Sequence, residues 1–244
     1  MTPIGRIVEV ADLSSRSRDE MFALMDRYFA GMSRPTFDSD LDEKQWVLQL
    51  VDPAIGAIRG FSTQMLLELD VEGRSVPALF SGDTIVDRAH WGSSVLARLS
   101  GRLAVSLMDS HADADLVWFL ISMGYKTYRF LPVFLREFYP RYDAPTPHWA
   151  KATIDAAARV KYADRYDARA GVIRADPDAC RLRTGVAEVT SQRLRDPHVR
   201  FFRERNPGHA RGDELCCIAR LTPENLSRAA RRVLKSIALA GAVG

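Results

Sequence analysis

Apolar and polar positions recur along this chain with two different periods, and the switches between them mark out its elements. Met21, Leu24, Met25, Tyr28, Phe29 and Met32 return at three- and four-residue intervals, which predicts an amphipathic helix over residues 14–32. Ser17 and Asp19 are capping candidates ahead of it, and Gly31 with Ser33-Arg34-Pro35 ends it. Short β-like runs follow: residues 46–51, then 55–69 after a turn at Asp52-Pro53, then 76–80 after the tight turn Glu72-Gly73-Arg74. Together they predict an antiparallel meander.

Residues 78–86 then read as a strand interrupted at Gly82, and residues 93–108 as a helix with Leu96, Leu99, Leu103 and Leu107 on one face. The unbroken apolar run of residues 116–121 is that of a strand buried on both sides. Strand, helix and strand in this order form a right-handed βαβ unit. An aromatic helix is predicted over 131–139, with Pro132 in its first turn. From Thr146 the composition shifts. An alanine-rich helix opens at Thr146-Pro147, and a polar, turn-rich stretch follows, with a short strand at Val172-Ile173. A helix over 191–205 is complicated by Pro197, residues 215–221 read as a strand, and a last helix runs from Thr222-Pro223-Glu224 to about 239.

The 244 residues are 47% hydrophobic and 27% charged, enough to bury a core without disulfides or metals. A net charge of +3 does not by itself call for nucleic acid or a membrane surface as partner. Cys180, Cys216 and Cys217 lack a disulfide-framework spacing, the start of the chain lacks a signal-peptide pattern, and no apolar run is long enough to span a bilayer. A cytoplasmic protein is therefore expected. Adjacent cysteines in a strand face opposite ways, and the five histidines show no metal spacing, so no metal site is expected. Hydrolase elbows, Walker loops and Rossmann fingerprints do not occur in the sequence.

The segment Thr84-Ile85-Val86-Asp87-Arg88-Ala89-His90-Trp91-Gly92-Ser93-Ser94 carries the candidate chemistry. A strand ends, a glycine loop follows and a helix begins, which offers free N–H groups and a helix dipole to an anion. Gly92 permits close approach, Ser93 and Ser94 add hydroxyls, Arg88 adds a charge, and His90 lies in the same loop. Any βα turn can hold glycine and serine, so packing alone also accounts for these residues.

The order of elements over residues 1–145, with Ala89-His90-Trp91-Gly92-Ser93-Ser94 as a phosphate loop, resembles the GNAT superfamily of N-acyltransferases. The loop departs from the family pattern, since the basic residue, Arg88, stands one place early and a serine occupies the last small position. The resemblance implies an α/β fold with a mixed (α+β) sheet, extended over residues 146–244 by a C-terminal α/β segment that builds an acceptor pocket or docks a partner. It implies a donor, acetyl-CoA or a longer acyl-CoA, whose pantetheine lies against Ile85 and Val86, and an amine acceptor that attacks the thioester directly. Phe138-Tyr139-Pro140-Arg141-Tyr142 resembles the family's tyrosine motif, which makes Tyr139 the first choice for the acid that protonates the departing thiolate, with Tyr125 and Tyr128 as alternatives. Asp83, in a polar break within an apolar strand, is the first choice for a base. Arg228, Arg231, Arg232 and Lys235 give the last helix a basic face, which suits a solvated surface or an acyl carrier protein as donor. The rival reading is a GNAT-like module that binds or scaffolds without catalysis.

Overall fold

The computed structural model describes residues 2–176 and 180–241. The first strand, β1 (Ile4–Glu9), is followed by helix α1 (Ser15–Tyr28), a two-residue strand β2 (Phe29–Ala30) and helix α2 (Arg34–Asp42). The Ser14 hydroxyl, not Ser17 or Asp19, caps α1 by accepting the Ser17 N–H, and the predicted helix stops four residues early because Phe29 turns extended. The meander comprises β3 (Trp46–Val51), β4 (Ile58–Val71) and β5 (Arg74–Val86). Glu72 and Gly73, with φ of 55° and 80°, make the turn between the last two.

Helix α3 (Val95–Ser110) leads to β6 (Val117–Ser122), which pairs parallel with β5. The expected aromatic helix over 131–139 is replaced by two short helices, α4 (Tyr125–Tyr128) and α5 (Phe130–Phe134). Residues 135–139 are drawn out instead, with Leu135 bridging Leu226 and Tyr139 bridging Ile218. Main-chain pairing to a distant strand overrides local helical pattern there.

The remaining elements are α6 (His148–Tyr162), β7 (Tyr166–Asp167), β8 (Val172–Ile173), β9 (Arg181–Leu182), α7 (Pro197–Arg205), β10 (Glu214–Arg220) and α8 (Arg228–Gly241). Pro197 takes the first turn of α7 behind an Asp196 cap, which is why the helix starts there rather than at Ser191. β10, β8 and β7 extend the main sheet, whose order is β1-β3-β4-β5-β6-β10-β8-β7. Residues beyond 145 thus share one mixed sheet with those before it. The mixed α/β class expected from the sequence is the observed one.

Helices cover both faces. α6 buries Ala150, Ile154 and Ala157 against Leu69, Phe80, Phe119 and Cys216, while α1 and α2 pack on Val47, Phe61 and Ile85. α3 covers Leu48, Leu50 and Leu79 on the other face, and α7 packs beside Leu120, Leu215 and Cys217. Cys216 and Cys217 thus point to opposite faces, as strand alternation requires. Among the described residues no helix is long and apolar enough to cross a membrane.

Candidate active site

The central feature is a parting of two strands. β5 and β6 pair only from Ala78 opposite Val117 to Ser81 opposite Leu120, then separate. The cause is local. Ser62 faces Thr84 and Gln64 faces Ser81, so Gly82 and Asp83 together stand opposite the single residue Thr63. Such a bulge bends its strand and disrupts pairing. Gly82 is required at the bend, because a Cβ there would lie 2.7 Å from the Thr63 hydroxyl and 3.0 Å from Cε of Lys44.

The gap opens into a cleft of about 850 Å³ on the α3 side, lined by Thr84, Ile85, Val86, His90, Gly92 and Ser93. Leu96 and Ala97, in the first turn of α3, also line it. Their N–H groups have no acceptor within the helix, as at any helix start. Ser93 turns its hydroxyl back to the Val95 N–H at 3.3 Å, and Ser94 accepts from Arg98 at 2.8 Å and lies outside the lining.

Arg88 is not the cation that faces the cleft. Its guanidinium donates to the Gly185 carbonyl and lies 5.1 Å from the centre of the Trp91 ring, because Gly185 approaches from a distant segment. Lys126, Arg129 and Arg193 line the cleft instead. Lys126 Nζ sits over Trp91, 3.4 Å from the ring centre, and donates to the Val186 carbonyl at 2.6 Å. Burial, with Arg193 and Arg88 nearby, holds the Lys126 ammonium below the usual lysine range. Among the described residues Arg88, Lys126 and Arg193 show no ion pair with a carboxylate, whereas Arg129 pairs with Asp196 at 3.0 Å. Crowded, uncompensated cations at a helix start favour an anion. Sequence reading missed Lys126 and Arg193, which lie 30 and more residues beyond the loop. The only local sign was a basic residue in the short aromatic stretch after β6.

The tyrosines separate. Tyr125 is buried and lines the cleft. Tyr128 is fully buried, its hydroxyl donating to the Pro140 carbonyl at 2.9 Å, and burial pushes its phenol far up. Tyr139 packs half-buried against the core beside α6, its ring 5.9 Å from Trp149, and is outside the cleft lining because its backbone is tied to Ile218.

Asp83 opens to a second cavity on the opposite face of the sheet, about 540 Å³, together with Asp40, Lys44, Arg165 and Glu214. Burial, reinforced by Asp40 and eased by Lys44, pushes the Asp83 carboxyl up to about 7. Burial and Asp83 push Glu214 up to about 8. Lys44 is buried and pairs with Asp40 at 2.8 Å. Thr84, Gly124 and Thr127 line both the cleft and this cavity, so the two meet where the strands part.

An antiparallel meander enters a parallel βαβ unit whose strands part midway, with a helix start at the mouth of the gap. This is the arrangement that the resemblance to the GNAT superfamily implies.

No family model matches the chain, and no curated protein matches it. Solved structures similar to this one include GNAT family N-acetyltransferase YhbS from Escherichia coli in complex with CoA, at 17% identity and a TM-score of 0.39, over 55% of this chain and 69% of that one. A GCN5-related N-acetyltransferase from Kribbella flavida is similar at 17% identity and a TM-score of 0.40, over 56% of this chain and 34% of that one. A conserved Enterococcus faecalis protein of unknown function, put forward as an N-acyltransferase, matches at 13% identity and a TM-score of 0.43, over 56% of this chain. This chain spans about a third of the length of the Enterococcus and Kribbella proteins. With TM-scores below 0.5, these likenesses carry no functional weight.

Proposed function

We propose that this protein transfers an acyl group from an acyl-CoA thioester to an amine. The observation that carries the reading is the gap between β5 and β6, with two cations lacking acidic partners, Lys126 and Arg193, lining the cleft it opens into and a separate acidic cavity at its far side. Phosphates of the donor sit at the start of α3 and against Lys126 and Arg193, where dipole and charge act together. The pantetheine arm runs along the edge of β5 that β6 has left, and the main chain at Ile85 and Val86 supplies hydrogen-bonding groups to its amides.

The thioester then lies at Thr84, where cleft and cavity meet. The amine enters from the Asp83 side, and its nitrogen lone pair attacks the thioester carbonyl carbon. Collapse of the tetrahedral species breaks the C–S bond and releases the thiolate. A carboxyl near neutral pKa is matched to removing the amine proton, which gives Asp83 the role of base. Tyr125, which lines the cleft, is assigned the role of protonating the thiolate. Tyr139 would need to leave its strand pairing to reach it.

An acyl-CoA is assigned as donor over an acylated carrier protein, since the uncompensated cations Lys126 and Arg193 line the cleft itself, whereas Arg228, Arg231 and Arg232 stand on α8. Calorimetric titration with CoA tests the reading. Saturable one-to-one binding, weakened by salt, is expected; absence of binding by CoA and acetyl-CoA at millimolar concentration sinks it.

A further inference from the structure

A third cavity lies under α8, on the α3 face of the sheet, with a volume of about 100 Å³ and walls that are almost entirely apolar. Protein interiors hold few voids larger than a water molecule, so a cavity of this size needs a cause. The cause is in α3: Ala97, Ser100 and Ala104 line it with small side chains and Gly101 with none, where larger ones would fill the space. At Gly101 the α8 residue Leu234 comes so close that an added Cβ would lie 2.9 Å from its Cδ2.

The roof is held in place. Ser227, just before α8, donates its hydroxyl to the Val133 carbonyl at 2.7 Å and its N–H to the Phe134 carbonyl at 2.9 Å. The few polar groups of the floor satisfy one another. Trp118 Nε1 donates to the Ser81 hydroxyl at 2.8 Å, Ser81 donates to Gln64 Oε1 at 2.6 Å, Gln64 Nε2 donates to the Ser62 hydroxyl at 2.8 Å, and Ser62 bonds Thr84 at 2.7 Å. With these groups engaged by one another, little remains to hold a water, and an apolar cavity stays dry.

The cavity also has an entrance. Thr84, Leu96, Ala97, Thr127, Phe130 and Phe134 line both it and the cleft assigned above to the donor. We infer that this cavity receives the acyl chain of the donor, and that the protein selects acyl-CoA species longer than acetyl. The inference rests on the acyl-CoA reading, since Thr84 is where that reading places the thioester. An engineered cavity of about 150 Å³ holds benzene, so about 100 Å³ holds roughly four carbons, and an acyl group of about five to six carbons matches the space beyond the carbonyl.

The test is a titration of the full chain with CoA, acetyl-, butyryl-, hexanoyl- and dodecanoyl-CoA. Affinity is expected to rise roughly fourfold per added methylene from acetyl to hexanoyl, then level or fall at dodecanoyl. Ala104→Phe fills the cavity away from the donor cleft and is expected to weaken hexanoyl-CoA at least tenfold while leaving acetyl-CoA within about twofold. Ser100→Leu serves the same end if Ala104→Phe lowers the melting temperature of the free protein. Equal affinity from acetyl to hexanoyl, with CoA itself bound, overturns the chain-pocket assignment and leaves the acyl-CoA reading standing. Binding of no CoA species overturns both.

Discussion

Lys126 Nζ lies 3.4 Å from the centre of the Trp91 ring, and Arg88 approaches the same ring at 5.1 Å. Two cations share one indole beside the cleft, which Lys126 and Arg193 line. Trp91 is itself anchored, donating Nε1 to the Val86 carbonyl at 2.9 Å. The arrangement ties the end of β5, the glycine loop and α4 into one cationic rim. Repulsion among these charges is relieved when an anion enters.

Lys126→Ala is accordingly expected to weaken CoA binding about 10- to 100-fold, the usual range for losing a charge-assisted hydrogen bond. The slope of affinity against salt should become shallower in the variant. Calorimetry at two salt concentrations measures both, and unchanged affinity would remove Lys126 from the phosphate site.

Asp83 and Glu214 make a prediction about pH. Both carboxyls ionise at higher pH in the folded chain than in the unfolded one, at about 7 and about 8. Between about 4 and 8 the folded state therefore holds more protons, and stability falls as pH rises through that window. Asp83→Asn and Glu214→Gln are each expected to raise the melting temperature at pH 8 and to change it little at pH 4. A lower melting temperature of both variants at pH 8 would contradict the burial of these carboxyls as the cause of their raised pKa.

Gly82 sits in the bulge that parts the strands. Gly82→Val places carbon against the Thr63 hydroxyl and the buried stem of Lys44, and overpacking of this kind costs roughly 1–3 kcal/mol. Chemical denaturation should show a lower midpoint at an unchanged slope. Gly92→Ala gives a contrast, because a Cβ there meets nothing within 4 Å and only its φ of 94° is strained.

The tyrosines separate in an assay of thiol release. With Asp83 as base and Tyr125 as acid, Tyr125→Phe should lower kcat at least tenfold with KM for the donor nearly unchanged. Tyr139→Phe should leave kcat within about twofold. The reverse pattern would return the acid to Tyr139 and require residues 135–139 to rearrange.

The sequence by itself determined whatever depends on neighbours along the chain. The 3.6-residue stripe of α3, the apolar run of β6, the Glu72-Gly73 turn and the loop from Thr84 to Ser94 all show there, because periodicity and turn chemistry are local. Gly82 inside an apolar strand was legible as an interruption, and the bulge is its structural form. Only the tertiary structure decided which groups meet across the gap. Lys126, just after β6, and Arg193, from the segment before α7, line the same cleft as the loop, while Tyr139 is drawn away by pairing with Ile218, 79 positions along the numbering. Sheet register fixes such meetings through burial and main-chain hydrogen bonds between remote segments, and no residue's immediate neighbours encode that.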